Sequence, residues 1–351
     1  MNLLTRIVLI AISSILLAAT GAQATLDWPG GTNDWTTGNW WYTNGTTTTV
    51  SGWPGDATYA GERADMENGG LIRINAGDDL NPGMLYYYGD MTVEHTGGDL
   101  LSAQIYYMRP RYEFTGGWLL PSIMRISHGG VLYMNGGQFG DRVIGGYLPS
   151  GYARDTKVEF REGTFDIHGG TVDVHTVNMP GQQQAGNVTV VRATGTDATL
   201  SALYLDFSSI AGATSQLEYV FSDAGISGWG SGADQSSGGA STTLGTGDTA
   251  GNLWVDVGDY ASDGTEWFSL INYSSLAGAF GSVTVTDSVQ GATLLSGTAG
   301  SLGEGEYALD YTGTAGDGSE VMLSFNNIPE PSAIGMLLLG GLAVWLRRRG
   351  R

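Results

Sequence analysis

Two glutamates, Glu94 and Glu113, sit at matching positions of a 19-residue echo in this chain. Paired carboxylates about 5–9 Å apart, one of them with a raised pKa, are what glycoside cleavage needs. If the echo is one coil of a stacked fold, the two lie one strand spacing apart, about 4.8 Å. At that distance they repel unless one keeps a proton or a cation intervenes. Equivalent positions of a repeat stack in any case, so the pair identifies no acid and base, and no catalytic residue is assigned. Arg109 and Arg111, in MRPRYEF, could face a uronate, but a proline between two arginines also marks a corner with solvated side chains. The four histidines, His95, His128, His168 and His175, show no metal-ligand spacing. His95 reads as a core residue. Asp256, Asp259, Asp263 and Glu266, in DVGDYASDGTE, are the candidate calcium ligands, although they depart from the EF-hand order. No nucleophile elbow, phosphate loop or dinucleotide fingerprint occurs. With no cysteine, thiol chemistry and a disulfide scaffold are excluded.

The elements that would hold such residues are β-strands. Glycine accounts for 57 of 351 residues, and charged residues for only 14%. Short alternating strands and tight turns fit that profile better than amphipathic helices. Sliding Leu85–Val174 by 19 residues pairs Tyr87-Tyr88 with Tyr106-Tyr107, Glu94 with Glu113, Thr96-Gly97-Gly98 with Thr115-Gly116-Gly117, and Leu100-Leu101 with Leu119-Leu120. VEHTGG and YEFTGG are echoed by VEFREG at Val158–Gly163. The reading is all-β: a parallel β-solenoid (β-helix), with an antiparallel β-sandwich as the alternative. Strand alternation places Val93, Tyr112, Val158, His95, Phe114 and Phe160 inside and Glu94, Glu113 and Glu159 outside.

The chain divides into a leader at 1–24, a Trp-rich opening at 25–65, Gly-Gly repeats at 66–192, a β-rich portion at 193–327 with a Gly/Ser-rich loop at 227–251, and a tail at 328–351. Arg6, an apolar stretch and Ala22-Gln23-Ala24 make a secretory signal peptide cut after Ala24. The opening holds Trp28, Trp35, Trp40, Trp41 and Trp53. Bulky aromatics cover an exposed solenoid end, and indole faces also stack on sugar rings, so these five are both the candidate cap and the candidate glycan-binding residues. The pattern DWTTGNW…GWPGDATY resembles the opening segment of bacterial solenoid proteins related to autotransporter passengers. WFSLINY, LAGAFGSV, YALDY and VMLSF, within 253–325, resemble their closing region, which implies a β-rich portion without known catalysis.

The tail reads Pro329-Glu330-Pro331, an apolar run from Ala333 to Leu346, then Arg347, Arg348, Arg349 and Arg351. Fourteen residues at about 1.5 Å each span roughly 21 Å, a marginal transmembrane segment against a ~30 Å hydrocarbon core. The arginines would stay cytoplasmic, with everything before the run outside. This order of parts resembles the PEP-CTERM sorting signal of bacterial exported proteins. The resemblance implies exosortase as a partner, transient anchoring in the inner membrane, removal of the tail and delivery to the cell surface or exopolysaccharide matrix. Between leader and tail, 34 acidic residues face ten basic ones, a net charge of about −24 that disfavours nucleic acid. The expectation is a non-catalytic structural or adhesive surface protein without a cofactor, calcium being the one candidate. The alternative is a polysaccharide-binding or polysaccharide-degrading β-helix protein.

Overall fold

A computed structural model describes residues 25–28, 30–38, 40–42, 52–55, 63–88, 90–109, 111–140, 156–226, 229–231, 241–286, 295–296, 302, 305–312 and 319–326. The leader and tail, with Ala22, Ala24, Pro329, Glu330, Pro331 and the terminal arginines, lie outside these residues. The protein is all-β, and the 26 strands among the described residues join in one sheet.

Most pairing is parallel and follows three ladders. The first runs through Gly31–Asp34, Gly70–Ile74, Met91–His95 and Arg111–Phe114. It continues through the front of Gly130–Phe139 and of Gly163–Asn178, then Val188–Thr194, Thr214–Val220, Asn252–Asp256 and Ser282–Thr286. The second starts with Thr25–Asp27, Arg63–Met66 and Met84–Tyr87. It goes on through the later parts of Asp99–Met108 and Trp118–Ile126 to Lys157–Phe160. The third joins the opening residues of Asp99–Met108 and Trp118–Ile126 to the end of Gly130–Phe139 and the later part of Gly163–Asn178, with Leu100 against Leu119, Leu119 against Phe139, Phe139 against Val172 and Val172 against Leu200. Long strands thus bend from one ladder into another. Among the described strands, antiparallel pairing occurs only at Trp41–Tyr42 against Thr25–Asp27 and where Glu320–Asn326 pairs with Phe268–Asn272 and Glu306–Asp310. The first ladder crosses the sequence boundary at 192–193 without interruption.

Alternation sets the core. Ile72, Val93, Tyr112, Leu132, Phe165, Val191 and Leu217 follow one another in register, and all are buried. Their chain neighbours Arg73, Glu94, Glu113, Tyr133, Asp166, Arg192 and Glu218 form the matching row on the opposite side, half-buried except for Glu218, which is buried. At one corner Gly98, Gly117, Gly137 and Gly170 all have φ between +73° and +88°. A Cβ on Gly117 would lie 2.0 Å from the Gly98 carbonyl oxygen. Glycine is required there twice over, by backbone conformation and by the close approach of the next turn.

The structure corrects two register assignments. Tyr86, not Tyr87, pairs with Tyr106, because the register here spans one residue more than the 19-residue echo. Val158 and Phe160 are buried as expected, but they pair with Met124 and Ile126 in the second ladder, not with Val93 and Tyr112 in the first. VEFREG repeats the in-out chemistry of VEHTGG on a different face.

Candidate functional site

The outward row of the first ladder is a run of paired charges. Glu94 and Glu113 are register neighbours, as the 19-residue echo requires. Each has its own cation: Arg73 Nε lies 2.9 Å from Glu94, and Arg111 Nε 2.6 Å from Glu113. Both pairs are well exposed, so each is worth about 0–1 kcal/mol. Further along, His168 Nε2 and Arg192 Nη1 lie 3.1 and 3.4 Å from Asp166, and Arg192 Nε lies 2.5 Å from Glu218. Neighbouring arginines thus neutralise the two glutamates, and the repulsion expected from their spacing is offset.

His95 faces the other way. It is fully buried against Phe114, with Nδ1 3.0 Å from the Tyr112 hydroxyl and Nε2 3.2 Å from the Gly98 carbonyl. Burial pulls its imidazole down to about 4, against the opposing pull of the Gly98 and Gly97 backbone. His128 is exposed at a corner with φ 54°, and Arg109 is exposed at another.

The tryptophans divide. Trp28, Trp35 and Trp40 are fully buried and mutually packed, with ring centroids 5.1–5.2 Å apart around Trp40. Trp35 Nε1 donates to the Pro54 carbonyl and Trp40 Nε1 to the Trp35 carbonyl, each at 3.0 Å. These three cannot offer a face to a sugar, so the glycan-binding assignment fails for them. Apolar burial took their rings into the hydrophobic core. Trp53 is partly buried against that core, and Trp41 contributes a strand residue opposite Asp27.

The acidic loop does not converge. Asp256 Oδ1 accepts from Gly258 N at 3.1 Å, and Asp263 Oδ1 from Thr265 N at 3.0 Å. Glu266 accepts from the Tyr260 hydroxyl at 3.3 Å, while Asp259 is exposed. Among the described residues no group of three or more His, Asp or Glu is placed to hold a metal. Asp256 and Asp263 serve local turns, as Asp does in Asp-Gly-rich β proteins.

Sequence reasoning missed a cluster on the outward side of the second ladder. Tyr86 lies with its ring centroid 5.5 Å from Tyr88, nearly parallel, and 5.4 Å from Tyr106. The Arg63 guanidinium covers Tyr86 at 3.9 Å, and that of Arg125 covers Tyr106 at 4.4 Å. Arg63 donates from Nε and Nη2 to the two Asp65 oxygens at 2.6 and 2.7 Å, and Arg125 Nε donates to Glu159 at 2.7 Å. The tyrosine runs at 86–88 and 106–107 were the available signal. A one-residue error in register hid their alignment, and only the fold brings Arg63 and Arg125 to them.

Comparison with protein-family models, curated proteins and solved structures found no match to this chain.

Proposed function

We propose that the three ladders are the faces of a parallel β-solenoid, and that the solenoid is the body of an exported, exosortase-sorted structural or adhesive protein of the bacterial surface or exopolysaccharide matrix. The observation that carries the destination is the ordered tail: Pro329-Glu330-Pro331, the apolar run and the arginine cluster. The leader agrees with it. For the body, support comes from the outward rows, whose side chains serve neighbouring coils. Glu94 and Glu113 are each held by an arginine, and the rings of Tyr86 and Tyr106 pack at a tilt against each other and lie under guanidiniums. Glycoside cleavage needs two carboxyl groups flanking the scissile bond, whereas Glu94 and Glu113 each face an arginine of the same surface. The reading is therefore architectural.

The test is chemical. The purified protein is incubated with acidic and neutral exopolysaccharides, and new reducing ends and unsaturated uronates are measured. No product is expected. Product that disappears in Glu94→Gln or Glu113→Gln would replace this reading with a polysaccharide-degrading enzyme.

A further inference from the structure

We infer that the outward side of the second ladder binds a neutral, extended polysaccharide across Tyr86, Tyr88 and Tyr106, between the Arg63–Asp65 and Arg125–Glu159 ion pairs. The inference rests on reading the protein as an adhesive matrix component, and it names the ligand class and the place.

Three properties of this surface point to that ligand. The first is its amphipathic make-up. Leu85, Tyr87, Ile105 and Met108 fill the core, so the alternating residues Tyr86, Tyr88 and Tyr106 form a half-buried aromatic surface on the outside. With the Arg63 and Arg125 guanidiniums over the faces of Tyr86 and Tyr106, the surface presents tyrosine edges and polar tips, framed by planar cations, to the CH-rich and hydroxyl-rich sides of a sugar ring. The flanking ion pairs add planar donors and carboxylate acceptors, already held in place by their mutual hydrogen bonds.

The second is the charge balance. On this face Arg63, Arg125 and Lys157 balance Asp27, Asp65 and Glu159, with exposed Arg109, Glu67 and Asp90 at the margin. The patch is close to neutral within a chain of net charge −20. Residues 193–327 hold no lysine or arginine at all. A polyanion meets the repulsion of the whole molecule, and a polycation is drawn to the acidic half instead. A neutral polymer is the class that the patch favours over the rest of the surface.

The third is the repeat. Successive coils lie about 4.8 Å apart, close to the length of one pyranose unit in an extended chain. The Tyr86–Tyr106 centroid distance of 5.4 Å keeps that step. A ribbon-like β-linked glycan laid along the stack would bring successive rings against successive coils, which a coiled α-linked chain would not.

The experiment is affinity electrophoresis of the full chain through gels containing hydroxyethylcellulose, dextran or alginate, with thermal melts of every variant. Retardation is expected in hydroxyethylcellulose and in neither of the others. The double variant Tyr86→Ala/Tyr106→Ala should bind about tenfold more weakly, and Tyr133→Ala on the first ladder should bind like the parent. If the alanine variant does not fold, Arg63→Lys/Arg125→Lys decides. It keeps the charge but loses the planar fork, and roughly threefold weaker retention is expected. Absence of retardation of the parent, unchanged retention of a folded double variant, or equal binding of alginate would each overturn the inference. The same cells are fractionated for the protein. Its presence in the matrix without glycan retention removes this site and leaves the adhesive or structural reading standing. Its absence from surface and matrix removes that reading as well.

Discussion

At the scale of single residues, the inward and outward rows make opposite predictions. Val93 is fully buried beside Tyr112, so Val93→Asp places an unpaired carboxylate in the core and should cost about 3–5 kcal/mol in a denaturant melt. Glu94→Gln removes an exposed pair with Arg73 and relieves the neighbouring Glu113 at once, so it should change stability by less than about 0.5 kcal/mol. A reversed ranking would mean that the faces are misassigned. His95 supplies a pH dependence. Its pKa falls from 6.5 to about 4 on folding, so the unfolded chain binds the extra proton between those values. Stability from this group is therefore complete above pH 6.5 and is lost as pH falls toward 4, by up to roughly 3 kcal/mol. His95→Phe should flatten that part of a melting-temperature profile between pH 4 and 6.5. An unchanged slope in the variant would contradict the burial of a neutral imidazole.

At the scale of elements, the glycine corner and the aromatic end are where failure should be cooperative. Gly117→Ala combines a disfavoured φ with a Cβ 2.0 Å from the Gly98 carbonyl oxygen, and a loss above about 2 kcal/mol is expected. Trp40→Ala empties a site between Trp28 and Trp35 and should cost about 3–5 kcal/mol by thermal or chemical melt. Parent-like stability in either variant would contradict the close corner or the buried tryptophans. These elements also show what was legible beforehand. Period-2 alternation gave the inward placement of Val93, His95, Tyr112, Phe114, Val158 and Phe160 correctly, because burial of apolar side chains is local to each strand. Which ladder a strand joins is not local. Register partners are 19 residues apart from Glu94 to Glu113 and 20 from Glu113 to Tyr133, but 33 from Tyr133 to Asp166. Intervening segments absorb the difference while the strands stay in line, so the echo fades and VEFREG was assigned to the wrong ladder. The tyrosine cluster was illegible for the same reason, since its arginines come from strands 62 residues apart in the chain.

At the scale of the whole molecule, the account joins an address at the two ends to a scaffold between them. Along the body, neighbouring strands meet through paired charges, packed rings and close glycine corners, and residues 193–327 add sixteen carboxylates without one lysine or arginine. The like charge of such a surface makes copies of the chain repel one another. We propose from the leader and tail an architectural protein sent to the extracellular matrix by its tail. The most direct measurement is the distribution and size of the full chain in cells with and without exosortase. The account predicts a shortened form in the surface and matrix fraction of exosortase-positive cells, and an uncut, membrane-held form when exosortase is missing or Pro329-Glu330-Pro331 is replaced by alanines. Identical size and location in all three strains would contradict it.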